Sequence, residues 1–466
     1  MCNHLVLYTY MKLTFCGGVR GVTGSCYLLE TKAHKILIDC GMFQGDHALE
    51  YSQEPFDFDP KKIDAVILTH AHYDHCGRLP MLSKQGFTGL IFCTPPTKSL
   101  TSIVLQDAQH LMADNNHRMD TPILFDMADV KNVDDLINTM NYHTQFEIIP
   151  GVNVMLHDAG HILGSAFVVV DIDAKHTADS KARRIVFSGD IGNDKVPILP
   201  QTESISNADI VICESTYGDR EHEPVDTRMT KLRDMIKDVV GDNGTLLIPA
   251  FSIERTQELL YELDRMIDDK AIPNCPIYLD SPLSIKATEI YREFSQYLRF
   301  DRDIFTSPDR DFFSFPNLHV TLTVDASKSI NEDSGPKIIV AGAGMINGGR
   351  ILHHLKRYIE DSRSGILIIG YQAEGTLGRK IFDGQKKVHI YHDPFEVRAK
   401  VSAIGAFSAH GDRKKLKQWL ATCSEPIGQI FLVHGDTDVK ENFKIYLGKE
   451  LATNIEIPKY WQSFEW

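Results

Sequence analysis

Paired cysteines, a long apolar run and an excess of basic residues are all missing from this sequence. Each absence excludes something. The nine cysteines are scattered, and no two form a C-x-x-C pair. That argues against a disulfide frame or a cysteine-rich zinc finger, and for a reducing compartment. No hydrophobic stretch approaches the roughly 20 residues that cross a bilayer. The first ten residues lack the charged segment and cleavage site of a signal peptide, so a short tail is expected over residues 1–10 and the cytoplasm is the expected location. Lys and Arg number 49 against 63 Asp and Glu, a net charge of −14. The chain therefore has no global basic footprint for nucleic acid, which leaves a local patch or bound cations to attract a polyanion.

The chain has 466 residues, 43% hydrophobic and 24% charged, an ordinary globular composition. At roughly 150 residues per domain, about three units or two large ones fit. From Met11 to about residue 208 short strand-like runs dominate, among them KLTFCGG, KILIDCG, AVILTH, FVVVDID and RIVFSGD. Helical patterns are few there, PMLSKQG and SLTSIVLQDAQHLMADNN being the candidates. From residue 209 to 398 strand and helix alternate, as in DIVICEST before TRMTKLRDMIKDVV and GTLLIPAF before ERTQELLYELDRMI. Such alternation predicts parallel βαβ units with both sheet faces covered. Residues 399–466 return to short units. There is no internal repeat.

The chemistry concentrates in His70-Ala71-His72-Tyr73-Asp74-His75, directly after the strand AVILT. Three imidazoles and a carboxylate in six positions suit Zn²⁺, with Fe and Mn as alternatives. His70 and His72 can serve one ion, and Asp74 and His75 a neighbour. One loop cannot complete two coordination shells. His161 in HDAGHILGSA, Asp190 in FSGDIGN and His434 in FLVHGDTD stand at strand ends and can complete them, and a carboxylate such as Asp190 can bridge two cations. Asp39 in LIDCG is expected to orient a ligand. A lone histidine at a strand end is ordinarily structural; it is the spacing that makes this cluster different. His157 and Asp158 read less clearly, His157 equally well as a surface residue.

HAHYDH, the preceding LIDCG, the later His161 and SGD together resemble the metallo-β-lactamase superfamily. CESTYGDR, GAFSAHGD and FLVHGD resemble its β-CASP subgroup. GMFQG, DSP, AGAGMINGGR and EGTLGR are similar to the RNA-processing branch related to the cleavage and polyadenylation endonuclease. The resemblance covers nearly the whole chain from Met11. It implies an α/β chain, a metallo-β-lactamase αββα sandwich over residues 11–208 and 399–466 with an inserted β-CASP domain over residues 209–398, its parallel sheet flanked by helices. It implies two Zn²⁺ ions, one on His70, His72 and His161, the other on Asp74, His75 and His434, with Asp190 bridging. His410 would be the general acid, hydrogen-bonded to Glu214. The KH domains that precede archaeal relatives have no counterpart in the ten residues before Met11.

The implied activity is hydrolysis of single-stranded RNA to 5′-phosphate and 3′-hydroxyl ends, as an endonuclease with or without 5′-exonuclease action. A DNA nuclease, another metallohydrolase and a non-catalytic RNA-binding scaffold are the alternatives. No membrane association is expected, and a homodimer or RNA-processing partner proteins are compatible with the sequence. Arg220, Arg255, Arg350 and Arg379 are candidates for phosphate contact, because guanidinium groups bind phosphate bidentately. Ser281, before a helix in YLDSPLS, is a candidate anion ligand or a plain helix cap. The glycines at 342, 344 and 348 miss the dinucleotide spacing by one residue, and no Walker-type loop is present.

Overall fold

The computed structural model describes residues 11–45, 47–177, 179–194, 196–299, 311 and 313–466. The tail expected over residues 1–10 lies outside the described residues. The chain divides into two compact units. The first comprises Met1–Asp194, Gln201–Glu221 and His410–Trp466, the second Lys195–Pro200 and His222–Ala409.

The first unit stacks two seven-stranded sheets. One runs, in spatial order, Ser463–Glu465, Lys12–Phe15, Tyr27–Glu30, Lys35–Ile38, Ala65–Ile67, Leu90–Cys93 and Ile137–Thr139. The other runs Asn454–Glu456, Gln429–Val433, Ile210–Glu214, Arg183–Phe187, Ala166–Ile172, Val152–Asp158 and Phe146–Ile149. Leu13, Phe15, Ile36 and Ile67 of the first sheet share one buried cluster with Val154, Val168, Ile185 and Phe431 of the second. The far face of the second sheet is covered by the helices Arg413–Leu420 and Thr437–Gly448, through Leu416, Trp419, Phe443 and Leu447. The helices Pro95–Met119 and Met127–Leu136 pack on the first sheet. Covering both faces explains why Ala65–Ile67 and Ile210–Glu214 are buried at every position, reading as continuous rather than alternating apolar runs. This is the αββα sandwich.

The second unit is built on a six-stranded, wholly parallel sheet. Its order is Leu318–Val320, Ile277–Asp280, Lys337–Ala341, Thr245–Pro249, Gly365–Ile368 and Lys400–Ala403. Helices Arg255–Asp268, Pro282–Glu293, Val324–Ser329, Ile351–Tyr358 and Leu377–Phe382 lie in the crossovers that parallel pairing requires, and Val225–Gly241 leads into the first strand. The unit's limits differ from the composition break at residues 208/209 and 398/399. Ile210–Glu214 pairs with Arg183–Phe187 and Gln429–Val433 and so belongs to the first unit. Lys400–Ala403 pairs with Gly365–Ile368 and belongs to the second.

All eight cysteines among the described residues are free thiols. No helix among the described residues is long and apolar enough to cross a membrane.

Candidate metal centre

Each candidate ligand stands where a strand of the sandwich ends. Strand Ala65–Ile67 runs into the loop carrying His70 and His72, and His72 caps the short helix Tyr73–Cys76 that holds Asp74 and His75. His161 follows strand Val152–Asp158, Asp190 follows Arg183–Phe187, and His434 follows Gln429–Val433 with its backbone in the left-handed region (φ 48°). Two glycines permit the close approach this needs. A side chain at Gly192 would put its Cβ 1.9 Å from the Gly160 carbonyl oxygen, and one at Gly41 would put it 1.6 Å from that of Asp74. Only bare backbone lets these loops meet.

The result is two adjoining donor sets. His70 Nε2 and His161 Nε2 each lie 3.1 Å from His72 Nδ1, and they lie 3.4 Å and 3.5 Å from Asp190 Oδ2. On the other side, His75 Nε2 is 3.3 Å and His434 Nε2 3.6 Å from Asp190 Oδ1. His434 Nε2 is 3.7 Å from Asp74 Oδ2. The two carboxylate oxygens of Asp190 thus face different sets. Within each set the donor atoms lie within 4.8 Å of one another.

The residues fit a pair of cations. His75 Nε2 and Asp190 Oδ1 are buried and lack any hydrogen-bond partner. Leaving such atoms unsatisfied costs about 1–3 kcal/mol each, and a cation between them removes that cost. The donors are imidazole nitrogen and carboxylate oxygen, the set that zinc-type ions take. Burial pushes the pKa of His70, of His72 and of His161 down, and that of His434 to about 3. These rings are therefore neutral donors. Burial also opposes a proton on His75, but Asp190 and Asp39 outweigh it and hold its pKa up.

A further layer fixes the ligands. Asp39 accepts His75 Nδ1–H at 2.7 Å and is itself held by the Thr69 amide at 2.8 Å and hydroxyl at 2.9 Å. The structure thus places Asp39, the residue expected to orient a ligand, against His75. Thr69 Oγ1 also lies 3.0 Å from His70 Nδ1, and Ser25 Oγ lies 2.9 Å from His434 Nδ1. Neither hydroxyl stands out in the sequence. The only hints of their roles are positional: Thr69 precedes the histidine cluster and Ser25 follows a glycine.

His410 lies beside this centre. Its Nδ1 is 3.2 Å from Glu214 Oε1 and 3.8 Å from Asp190 Oδ2, and its ring centroid is 4.6 Å from that of His161. Glu214 is fully buried and accepts the amides of Ile191 at 2.8 Å and Thr216 at 3.2 Å. The Gly411 amide donates to the Ile191 carbonyl at 2.7 Å, tying the His410 segment to the Asp190 loop. Burial works to lower the His410 pKa, yet Glu214 and Asp190 raise it to about 9.

The candidate phosphate ligands are scattered. Arg220 is paired with Asp219. In the second unit, Ser281 caps helix Pro282–Glu293 by accepting the Ser284 amide at 3.3 Å. Arg350 donates to Asp280 at 2.7 Å and to the carbonyls of Thr321 and Leu322 at 2.8 Å, which brings Arg350 and Ser281 to the same strand end. Arg379 pairs with Asp383 one helical turn on. Arg255 is not a surface arginine: it is 3% exposed and bonded to Glu258 and the Phe407 carbonyl.

Residues 19–111 match the Metallo-beta-lactamase superfamily, residues 256–381 the Beta-Casp domain, and residues 394–458 the Zn-dependent metallo-hydrolase RNA specificity domain. Ribonuclease TTHA0252 of Thermus thermophilus is 37% identical over 442 residues, spanning 95% of this chain and 96% of that one. This chain is a β-CASP member of the metallo-β-lactamase superfamily. An RNase J-like protein of Methanocaldococcus jannaschii is 31% identical, over 96% of this chain and 97% of its own. Transcription termination factor FttA of Methanosarcina mazei is 32% identical, over 92% of this chain and 67% of its own.

Proposed function

We propose that this β-CASP protein is a ribonuclease that hydrolyses phosphodiester bonds of single-stranded RNA, with two Zn²⁺ ions per chain. The observation that carries the reading is Asp190, whose two oxygens face two separate donor sets while His410, backed by Glu214, stands at its edge. His70, His72 and His161 would hold one ion, Asp74, His75 and His434 the other, and Asp190 both. When bound, such a pair lowers the pKa of water toward 7 and neutralises charge gathering on a phosphate.

The chain's own residues supply the rest. In-line attack by water on phosphorus breaks the bond to the 3′ oxygen of the upstream nucleotide. The products carry a 5′-phosphate and a 3′-hydroxyl. The departing oxygen needs a proton, and His410 is the donor. Its Nδ1 faces Glu214, so the proton leaves from Nε2. Glu214, locked by two amides, sets the ring's angle and favours its charged form.

The decisive experiment is cleavage of a 5′-labelled single-stranded RNA beside DNA of the same sequence. Metal-dependent RNA fragments that vanish with chelator are expected, and the ladder separates endonucleolytic from 5′-exonucleolytic action. Preferential cutting of DNA would replace the reading by a DNA nuclease. RNA binding without cleavage at full metal occupancy would replace it by a scaffold.

A further inference from the structure

The first unit carries a second cluster of metal-ligating side chains that the reaction does not use. His143 lies in the turn before strand Phe146–Ile149, His157 lies within strand Val152–Asp158, and Glu203 lies in the connection leading to Ile210–Glu214. The Glu203 carboxylate is gripped from two sides. His143 Nε2 is 2.8 Å from one oxygen and 2.9 Å from the other, and His157 Nδ1 is 3.0 Å from Oε2. One donor atom from each residue falls within 4.8 Å of the other two.

The three are held by separate anchors. The His143 amide donates to the Leu156 carbonyl at 3.0 Å, although its backbone is left-handed (φ 60°), an uncommon conformation for a residue with a Cβ. The His157 ring stacks on Phe167 with centroids 4.9 Å apart and planes 8° from parallel. The Glu203 amide donates to the Asp158 carbonyl at 3.0 Å, and its carbonyl accepts Trp419 Nε1–H at 3.1 Å. The donors thus converge from a rigid frame, which is what separates a site from an accidental surface pair.

We propose that His143, His157 and Glu203 bind a divalent ion of the zinc class, distinct from the ions of the catalytic centre. Two imidazoles and one carboxylate are the donor set of three-ligand zinc sites, with a fourth position left for water. The His143 side chain is 59% exposed, so an ion reaches the cluster from solvent. Binding replaces the imidazole protons that now face Glu203. It also needs the donors to spread by a few tenths of an ångström, to the ~3.3 Å edge of a tetrahedron with bonds of about 2.0–2.1 Å. The exposed His143 side chain and the part-exposed Glu203 carboxylate can make that adjustment while His157 stays stacked on Phe167. The ion would pin the connection carrying Glu203 to His157 of strand Val152–Asp158, four residues before His161.

The test is Zn²⁺ uptake by the full-length protein already loaded at its catalytic centre, measured by equilibrium dialysis and elemental analysis. One further equivalent is expected in the wild type. In Glu203→Gln and in His143→Ala that equivalent should be lost or bound at least tenfold more weakly, with the catalytic metal content unchanged. Added Zn²⁺ should raise the thermal midpoint of the wild type and not of the variants. Equal uptake by wild type and His143→Ala, or no further equivalent in the wild type, would overturn the site. Because His143 is exposed, its alanine variant carries the test even if Glu203→Gln perturbs the fold.

Discussion

The roles proposed for Asp39 and His410 at the metal centre differ, and substitution should tell them apart. Asp39 touches His75, a ligand, and spends its remaining bonds on Thr69. Asp39→Ala should weaken metal binding by about 10- to 100-fold, the usual cost of removing a ligand's carboxylate partner. Retained stoichiometry and affinity by elemental analysis would count against the orienting role. His410→Ala should leave the metal content intact and slow cleavage by roughly 10²–10⁴. Full single-turnover activity in that variant would remove His410 from the reaction. The histidine cluster was legible because three imidazoles in six positions rarely arise for packing. Ser25 and Thr69 were not, since hydroxyls are common and only the folded chain shows which of them meets a ligand's second nitrogen. Arginine was the least informative. Arg255 and Arg350 look alike in sequence, yet one is buried against Glu258 and the other holds Asp280.

Asp280, at the end of strand Ile277–Asp280, shows how one residue locks several elements. Its carboxylate takes Arg350 and His354 at 2.7 Å, Ser327 at 2.6 Å and Thr321 at 2.5 Å. Burial works against its charge, but these hydrogen bonds hold its pKa well below the usual carboxylate range. The unfolded chain would titrate it near ~3.9. Its stabilisation is therefore fully present above that pH and is lost as pH falls toward the folded value. Asp280→Asn should cost about 3–5 kcal/mol at neutral pH. In denaturant titrations the gap between wild type and variant should shrink below pH 4, and a gap that stays constant there would refute the linkage. At this scale the parallel sheet was legible from alternation of strand and helix. The limits of the unit were not, because hydrogen bonding rather than composition decides membership. Ile210–Glu214 begins the alternating pattern in sequence but pairs into the sandwich. Helix Met127–Leu136 and strand Phe146–Ile149 were not legible either, the latter being partly exposed and short.

Taken as a whole, the molecule carries 63 acidic against 49 basic side chains, and its proposed substrate is a polyanion. Two effects of salt must then compete. At about 0.01 M ionic strength the Debye length is roughly 30 Å, so RNA feels the net charge of the entire protein and is repelled. At about 0.15 M it is near 8 Å, and only charges close to the bound phosphates matter. Raising salt from the lowest values should therefore speed association by screening the repulsion. Raising it further should weaken local phosphate contacts, with a slope near −0.7 per neutralised phosphate on a single strand. The expected result is a maximum in kcat/KM for a short single-stranded RNA as ionic strength rises at constant metal concentration. A monotonic fall from the lowest salt would mean that a local cationic surface governs encounter at every distance. In that case the charge total, the plainest number in the sequence, would have no bearing on how substrate arrives.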